Sequence, residues 1–373
     1  MGTTVGIAGF NIGFRDYGIC GFTIFARSNY LKAMLLFPRI SVKRLAILAV
    51  GLGLLAGWCW WAMIRMPLES FRGPLPPLTP AQTALRDELQ DYVWKLAGDI
   101  GMRHVTRRGS MNIAADYIEA GFAKGGHKVA RQDYTAAFEG NDERFHNVEV
   151  EIPGMTKPGE IVIIGAHYDS QRHGPGADDN ASGVAALFAL ERLSAIQHPA
   201  RTVRFVAFAN EEFPFCISKD MGSYVYAQHC RERGENITAM ISLESIGYYD
   251  AREHTQAYPF PISLLYPTRA DFIAFVSRTT DASLVRRCLK AFRMRTQFPS
   301  EGTAPPVLVR GISLSDHWSF WKAGYSAIMV TDTTRNRSPH FHNKTDTPDT
   351  LDYDRMARVV DGLGDVVDDL ANH

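Results

Sequence analysis

Four hydrophobic, β-branched runs in this chain each stop at a residue able to bind a metal or move a proton. They are IVIIGA before His167, TVRFVAFAN before Glu211 and Glu212, ITAMISL before Glu244, and YSAIMV, which leads through a loop to His342. In an open α/β sheet, side chains at the carboxyl ends of parallel strands converge on one crevice, so residues far apart in sequence can meet there. A fifth element, GADDNASG, lies between the first two runs and supplies Asp178 and Asp179. Imidazole nitrogen and carboxylate oxygen without thiolate is a donor set suited to Zn²⁺ in a catalytic site. The pattern predicts a metal-dependent hydrolase.

The chain has 373 residues, 46% of them hydrophobic, enough for one catalytic domain with a large core. Lys plus Arg (40) balances Asp plus Glu (40), and no basic stripe interleaved with aromatics occurs, which removes the usual argument for a nucleic-acid partner. Cys20, Cys59, Cys216, Cys230 and Cys288 show no CxxC spacing, which excludes a Cys-rich zinc site. Leu45 to Ile64 is an uncharged run of about the ~20 residues needed to cross a bilayer. Arg39, Lys43 and Arg44 precede it and Trp58, Trp60 and Trp61 mark its far end, so the positive-inside rule predicts a cytoplasmic amino terminus and a catalytic domain on the non-cytoplasmic side. The bulky end of the run argues against a cleaved signal peptide.

The expected organisation is a cytoplasmic segment over residues 1–44, with Met34 opening its basic part, a signal-anchor helix over 45–64, a Pro-rich spacer over 65–80 that lifts the domain from the bilayer, and a catalytic domain over 81–373. Helical periodicity marks ALRDELQDYVWKLAGDI and SMNIAADYIEAGFAKGG, the second closing on Gly125 and Gly126. HKVARQDYTA and HNVEVEIPG alternate as strands, while SGVAALFALERLSAI, ADFIAFVSRTTDASLVRRCLKAF and the final DRMARVVDGLGDVVDDLANH read as helices. Strands alternating with helices predict α/β layering.

Each candidate has a specific chemical task. Asp169, two residues after His167, falls on the same side of an extended chain and is placed to accept the imidazole's other N–H. Asp178 is assigned to the metals and Asp179 to capping or fixing the loop, since Asp is a favoured N-cap and two adjacent carboxylates cannot both cap. Glu211 and Glu212 point to opposite sides of an extended backbone, so one can bind metal while the other moves the proton of a metal-held water. Glu244 interrupts an apolar stretch, where burial of an unpaired carboxylate is costly. His340 and His342 are equivalent by spacing alone, and Asp316 with His317 forms a further pair, suited to hydrogen-bonding support.

GAHYDS, PGADDNASG, the NEE after a strand, SDHWSF and FHNKTDTPDTLDY, over roughly Met102 to Asp354, resemble the co-catalytic zinc aminopeptidases, a group that includes the bacterial leucyl aminopeptidases. The resemblance implies a three-layer αβα zinc-exopeptidase fold with a mixed, mostly parallel central sheet behind one transmembrane helix. It implies two Zn²⁺ per chain, with His167, Asp178 and Glu244 on one, Glu212 and His342 on the other, and Asp178 bridging. Glu211 is then the general base, Asp169 keeps its orienting role, and the peptide between the two Asp residues is expected to be cis. His342 is favoured over His340 by the FHxxxDT pattern. Many soluble relatives have Asp where this chain has Glu244, a departure that bears on how the site meets a substrate's amino group. Peptides are the implied substrates, with aminopeptidase action expected. The alternatives are a glutaminyl-peptide cyclotransferase using one zinc, a carboxypeptidase, and a catalytically silent receptor, for which loss of ligands would be the mark.

Overall fold

The computed structural model describes residues 41–193, 198–258 and 262–373. Met34, Arg39 and Cys20, and the end of the helix expected to reach Ile196, lie outside them. Helix α1, Val42–Cys59, runs on through Trp60–Ile64, and the Lys43–Ile64 stretch is long and apolar enough to cross a membrane. Residues Trp58–His373 form a separate compact unit.

That unit is built on an eight-stranded sheet of β1 (Val129–Phe138), β2 (Asn141–Ile152), β3 (Lys157–His167), β4 (Arg201–Phe208), β5 (Asn236–Glu244), β6 (Ile273–Val276), β7 (Ser300–Thr303) and β8 (Ala327–Thr331). The strand order is β1-β2-β4-β3-β5-β8-β6-β7. Strands β4, β3, β5 and β8 are mutually parallel; β2 pairs antiparallel to β4, and β6 antiparallel to β8. β1 and β2 form a hairpin whose turn residues Glu139 and Gly140 both have positive φ, as a two-residue primed turn requires.

The central strands are apolar without alternation because both their faces are covered. Val162, Ile164, Phe205 and Ile241 enter one core beneath α2 (Pro80–Val93), α3 (Ser110–Ala123), α4 (Gly183–Arg192), α6 (Ala282–Arg295) and α8 (Tyr353–Asn372). Ile161, Ile163, Phe208 and Met240 enter the other, against α5 (Gly222–Glu232) and α7 (His317–Ala323). The expected three-layer arrangement is therefore present. Thr79 starts α2 with a reciprocal capping box to Gln82, and Pro80 follows at the first helical position.

Two expectations are corrected. The stretch read as one helix from Ala270 to Phe292 is split: IAFV is strand β6, and α6 begins only at Ala282. A short apolar run has no periodicity that distinguishes a strand from a buried helical turn. The Pro-rich stretch is not a free spacer. Met63 O accepts from Ala304 N (3.0 Å), Ser70 Oγ from Ser300 N (2.9 Å), and Arg293 Nη1 donates to Pro67 O and Leu68 O (3.0 and 2.9 Å). The segment so covers the outer edge of β7, an edge strand that would otherwise expose unpaired backbone groups. Cys59, Cys216, Cys230 and Cys288 are all free thiols.

Candidate metal centre

Side chains at or just beyond the carboxyl ends of β3, β4, β5 and β8 lie close together. His167 is the last residue of β3 and Glu244 the last of β5, while Glu211 and Glu212 follow β4 and His342 lies in the loop after β8. His167 Nε2 is 3.2 Å from Asp179 Oδ1 and 3.3 Å from Glu244 Oε2; His342 Nε2 is 3.1 Å from Asp179 Oδ2 and 3.5 Å from Glu212 Oε1. Two triads result, His167–Asp179–Glu244 and Asp179–Glu212–His342, each with its donor atoms within 4.8 Å of one another.

These residues fit zinc. With zinc–ligand bonds of about 2.0–2.2 Å, donor atoms at tetrahedral corners stand about 3.3–3.6 Å apart, close to the separations found. His167 Nε2, Asp179 Oδ1 and Glu212 Oε1 are buried without any hydrogen-bond partner, and a bound cation is the natural recipient of those lone pairs.

The assignment of Asp178 to the metals is overturned by the geometry, which reverses the two aspartates. Asp179 presents one oxygen to each histidine, whereas Asp178 turns away, its Oδ1 accepting from Gly247 N at 2.9 Å. Burial pushes the Asp178 carboxyl up to about 6. Burial also opposes ionisation of Asp179, but the two histidine rings beside its oxygens prevail and hold it below the usual range. The cis peptide is Asp179–Asn180, not the bond between the two aspartates. Alternation of faces cannot settle the choice here because the loop is irregular, with Gly176 in the left-handed region (φ 61°) and Asp179 at φ −109°, ψ 89°. Asp346, from the FHNKTDTPDT motif, fixes the loop by accepting the backbone N–H of both Asp178 (2.9 Å) and Asp179 (3.2 Å).

Asp169 does more than orient the imidazole. Its Oδ1 is 3.4 Å and its carbonyl oxygen 3.2 Å from His167 Nδ1, and its carboxylate also accepts from the backbone N–H of Glu211 (3.0 Å) and Glu212 (2.9 Å). Glu212 is further steadied by Gln171 Nε2, which donates to its Oε2 at 2.8 Å. Glu211 belongs to neither triad; its Oε2 stands 3.8 Å from His167 Nε2, beside the metal positions. Burial, reinforced by Glu244 and Glu212 and opposed by His167, pushes its carboxyl well above the ordinary range.

His340 bonds Thr345 Oγ1 at 3.1 Å, and its ring meets Tyr248 edge-on, outside both triads. His317 is also outside them: its Nε2 bonds Ile312 O at 2.6 Å and its ring packs edge-on against Trp321, burial pushing it down to about 4. Asp316 is wholly buried with neither oxygen partnered, and burial raises it to about 7.

Besides Asp346 and Gln171, two residues of the site escaped sequence reasoning. Ser315, inside the SDHWSF motif, donates to Glu244 Oε2 at 2.7 Å and meets Ser242 Oγ at 2.9 Å, locking the carboxylate's rotamer. Ser315→Ala should weaken zinc at the His167 position about 10–100-fold, as measured by titration against a competing chelator, with the His342 position little changed. Arg103 is fully buried and donates to the carbonyls of Tyr168 (2.6 Å), Gly101 (2.9 Å), Leu96 (3.2 Å), Gly176 (2.8 Å) and Pro175. One guanidinium so ties the β3 exit to the loop carrying Asp179. Burial depresses its pKa to about 10, partly offset by Asp169. Nothing in the local sequence singles out this arginine. Arg103→Met leaves buried carbonyls without donors, each costing about 1–3 kcal/mol. Thermal unfolding should show a loss of about 3 kcal/mol or more.

Residues 147–367 match the profile of peptidase family M28. The uncharacterised protein YfbL of Escherichia coli is 38% identical over 77% of this chain and 88% of its own length. Leucine aminopeptidase 1 of Arthroderma otae is 26% identical over 57% of this chain, which spans 54% of that protein. Among solved structures, a zinc aminopeptidase from Bacillus subtilis has the same fold (TM-score 0.60, 14% identity, covering 77% of this chain and 95% of that one). So does a glutaminyl cyclase from Bacteroides thetaiotaomicron (TM-score 0.58, 18% identity, 76% and 97%).

Proposed function

We propose, for a chain that belongs to peptidase family M28, that it is a zinc aminopeptidase holding two zinc ions, one in each triad, with Asp179 shared between them. The observation that carries this reading is the pair of Asp179 oxygens, each directed at a different histidine. When bound, the zinc ions would acidify a water and polarise the scissile carbonyl. Glu211, outside both triads, takes the proton from that water and delivers it to the departing amine. A carboxyl raised by burial is suited to both halves of the task, because it binds a proton readily and must later release it. Asp169 holds the two glutamate backbones and the His167 ring in one register, and Ser315 fixes Glu244.

Glutaminyl-peptide cyclisation is the second reading, favoured by the fold shared with glutaminyl cyclases. That chemistry uses one zinc, whereas this chain has two triads. Mass spectrometry of defined peptides, one with N-terminal Gln, separates the two. Stepwise loss of N-terminal residues supports the aminopeptidase, and conversion confined to ammonia loss from N-terminal Gln replaces it by the cyclotransferase. Loss from the carboxyl end would indicate a carboxypeptidase. The apolar helix over Lys43–Ile64 supports anchoring in a membrane, with the amino terminus cytoplasmic and the catalytic unit on the other side.

A further inference from the structure

Trp58 to Ile64, the last residues of the apolar helix, belong to the catalytic unit and are held at one end of its sheet. β6 runs antiparallel to β8 and β7 parallel to β6, so the carboxyl ends of β6 and β7 lie at the edge of the sheet opposite the carboxyl ends of β3, β5 and β8, where the metal crevice is. Ala304, immediately after β7, donates its N–H to Met63 O at 3.0 Å. Arg286 on α6 donates to Trp61 O (2.8 Å) and Ala62 O (2.7 Å), and its guanidinium lies 5.5 Å from the centre of the Trp61 ring. Trp61 to Met63 are therefore bound at the sheet end remote from the crevice.

Three and four residues past Ala304 stand Val307, 50% exposed, and Leu308, 93% exposed, while Trp60 and Trp61, just before Met63, are 50% and 57% exposed. Leaving an aliphatic side chain this exposed in water forgoes its burial free energy, and the two tryptophans just before Met63 are of the type found at membrane–water interfaces. The occupant of this surface is settled by continuity: the helix that ends here is the candidate membrane span.

Resting on the anchored reading above, we infer that the catalytic unit sits directly on the bilayer, with Val307 and Leu308 inserted beside Trp60 and Trp61, and that its metal crevice opens away from the membrane. The crevice then stands a strand's length from the lipid, about 17–30 Å for strands of five to nine residues. The substrates it suits are peptides free in the aqueous compartment, not chain ends emerging at the bilayer surface.

The test uses the full chain reconstituted in phosphatidylethanolamine/phosphatidylglycerol vesicles, with a benzophenone amino acid replacing Leu308 or, at the rim beside Glu212, Phe213, which is 68% exposed. Lipid adducts at position 308 and their absence at 213 are the expected result. Adducts at 213 and not 308, at both, or at neither overturn the seating. Resistance of the protein to alkaline carbonate extraction is read in parallel. Protein stripped from the vesicles refutes the anchor itself, whereas retained protein without 308 adducts refutes only the seating.

Discussion

Asp179→Asn should abolish zinc binding at both positions and reduce peptidase activity to background, while Asp178→Asn keeps its zinc. Only Asp179 offers an oxygen to each triad, so its replacement removes a charged donor from both metals in one step. The neutral amide has one carbonyl oxygen and cannot bridge two cations as a carboxylate does. Folding should survive, because the site is crowded with buried carboxylates and removing one relieves repulsion when no cation is bound. In Asp178→Asn the amide oxygen can still accept from Gly247 N, the contact that the carboxylate makes. Zinc per chain by elemental mass spectrometry, with circular dichroism as the fold control, decides the matter. Equal zinc in Asp179→Asn and the unmodified protein would show that this residue does not bridge. Loss in Asp178→Asn alone would restore the assignment made from sequence.

How the two aspartates were exchanged shows where sequence reasoning stops. His167 and Glu244 were legible because each ends a buried strand, and a polar residue there has the crevice as its only inexpensive environment. Glu211 and Glu212 were given different tasks from strand alternation; β4 ends at Phe208 and Asn210 turns the chain with a positive φ (61°), yet Glu212 lies in a triad and Glu211 outside. Asp178 and Asp179 sit on no strand, and which of them faces the crevice is decided by Asp346, more than 160 residues later, gripping both backbone N–H groups. The same reason hid Arg103 and Ser315, whose importance lies entirely in long-range partners. The reversed pair β6 and β7 escaped notice because strands of four residues are too short for any period to be read. The grip of β7 and α6 on Met63 to Ser70 escaped for another reason: Pro-rich composition predicts extended backbone but says nothing of what it packs against.

Glu211→Gln separates chemistry from metal binding. The glutamine is nearly isosteric and lies outside both triads, so zinc content and peptide affinity should match those of the unmodified protein. Turnover should fall by about 10²–10⁴, the usual contribution of general acid–base catalysis. The sign of the pH dependence follows from the same group. Glu211 must be ionised to accept the water's proton, so activity is lost as pH falls through its folded-state pKa, which burial raises. Glu212→Gln makes the complementary case, since Glu212 Oε1 faces His342 within the second triad and its loss should lower zinc content before it lowers anything else. Single-turnover rates with zinc measured on the same samples distinguish the two variants. Full turnover in zinc-loaded Glu211→Gln would remove Glu211 as the base and leave Asp316, a wholly buried carboxyl with neither oxygen partnered and near enough to act on Glu211, as the residue to test next.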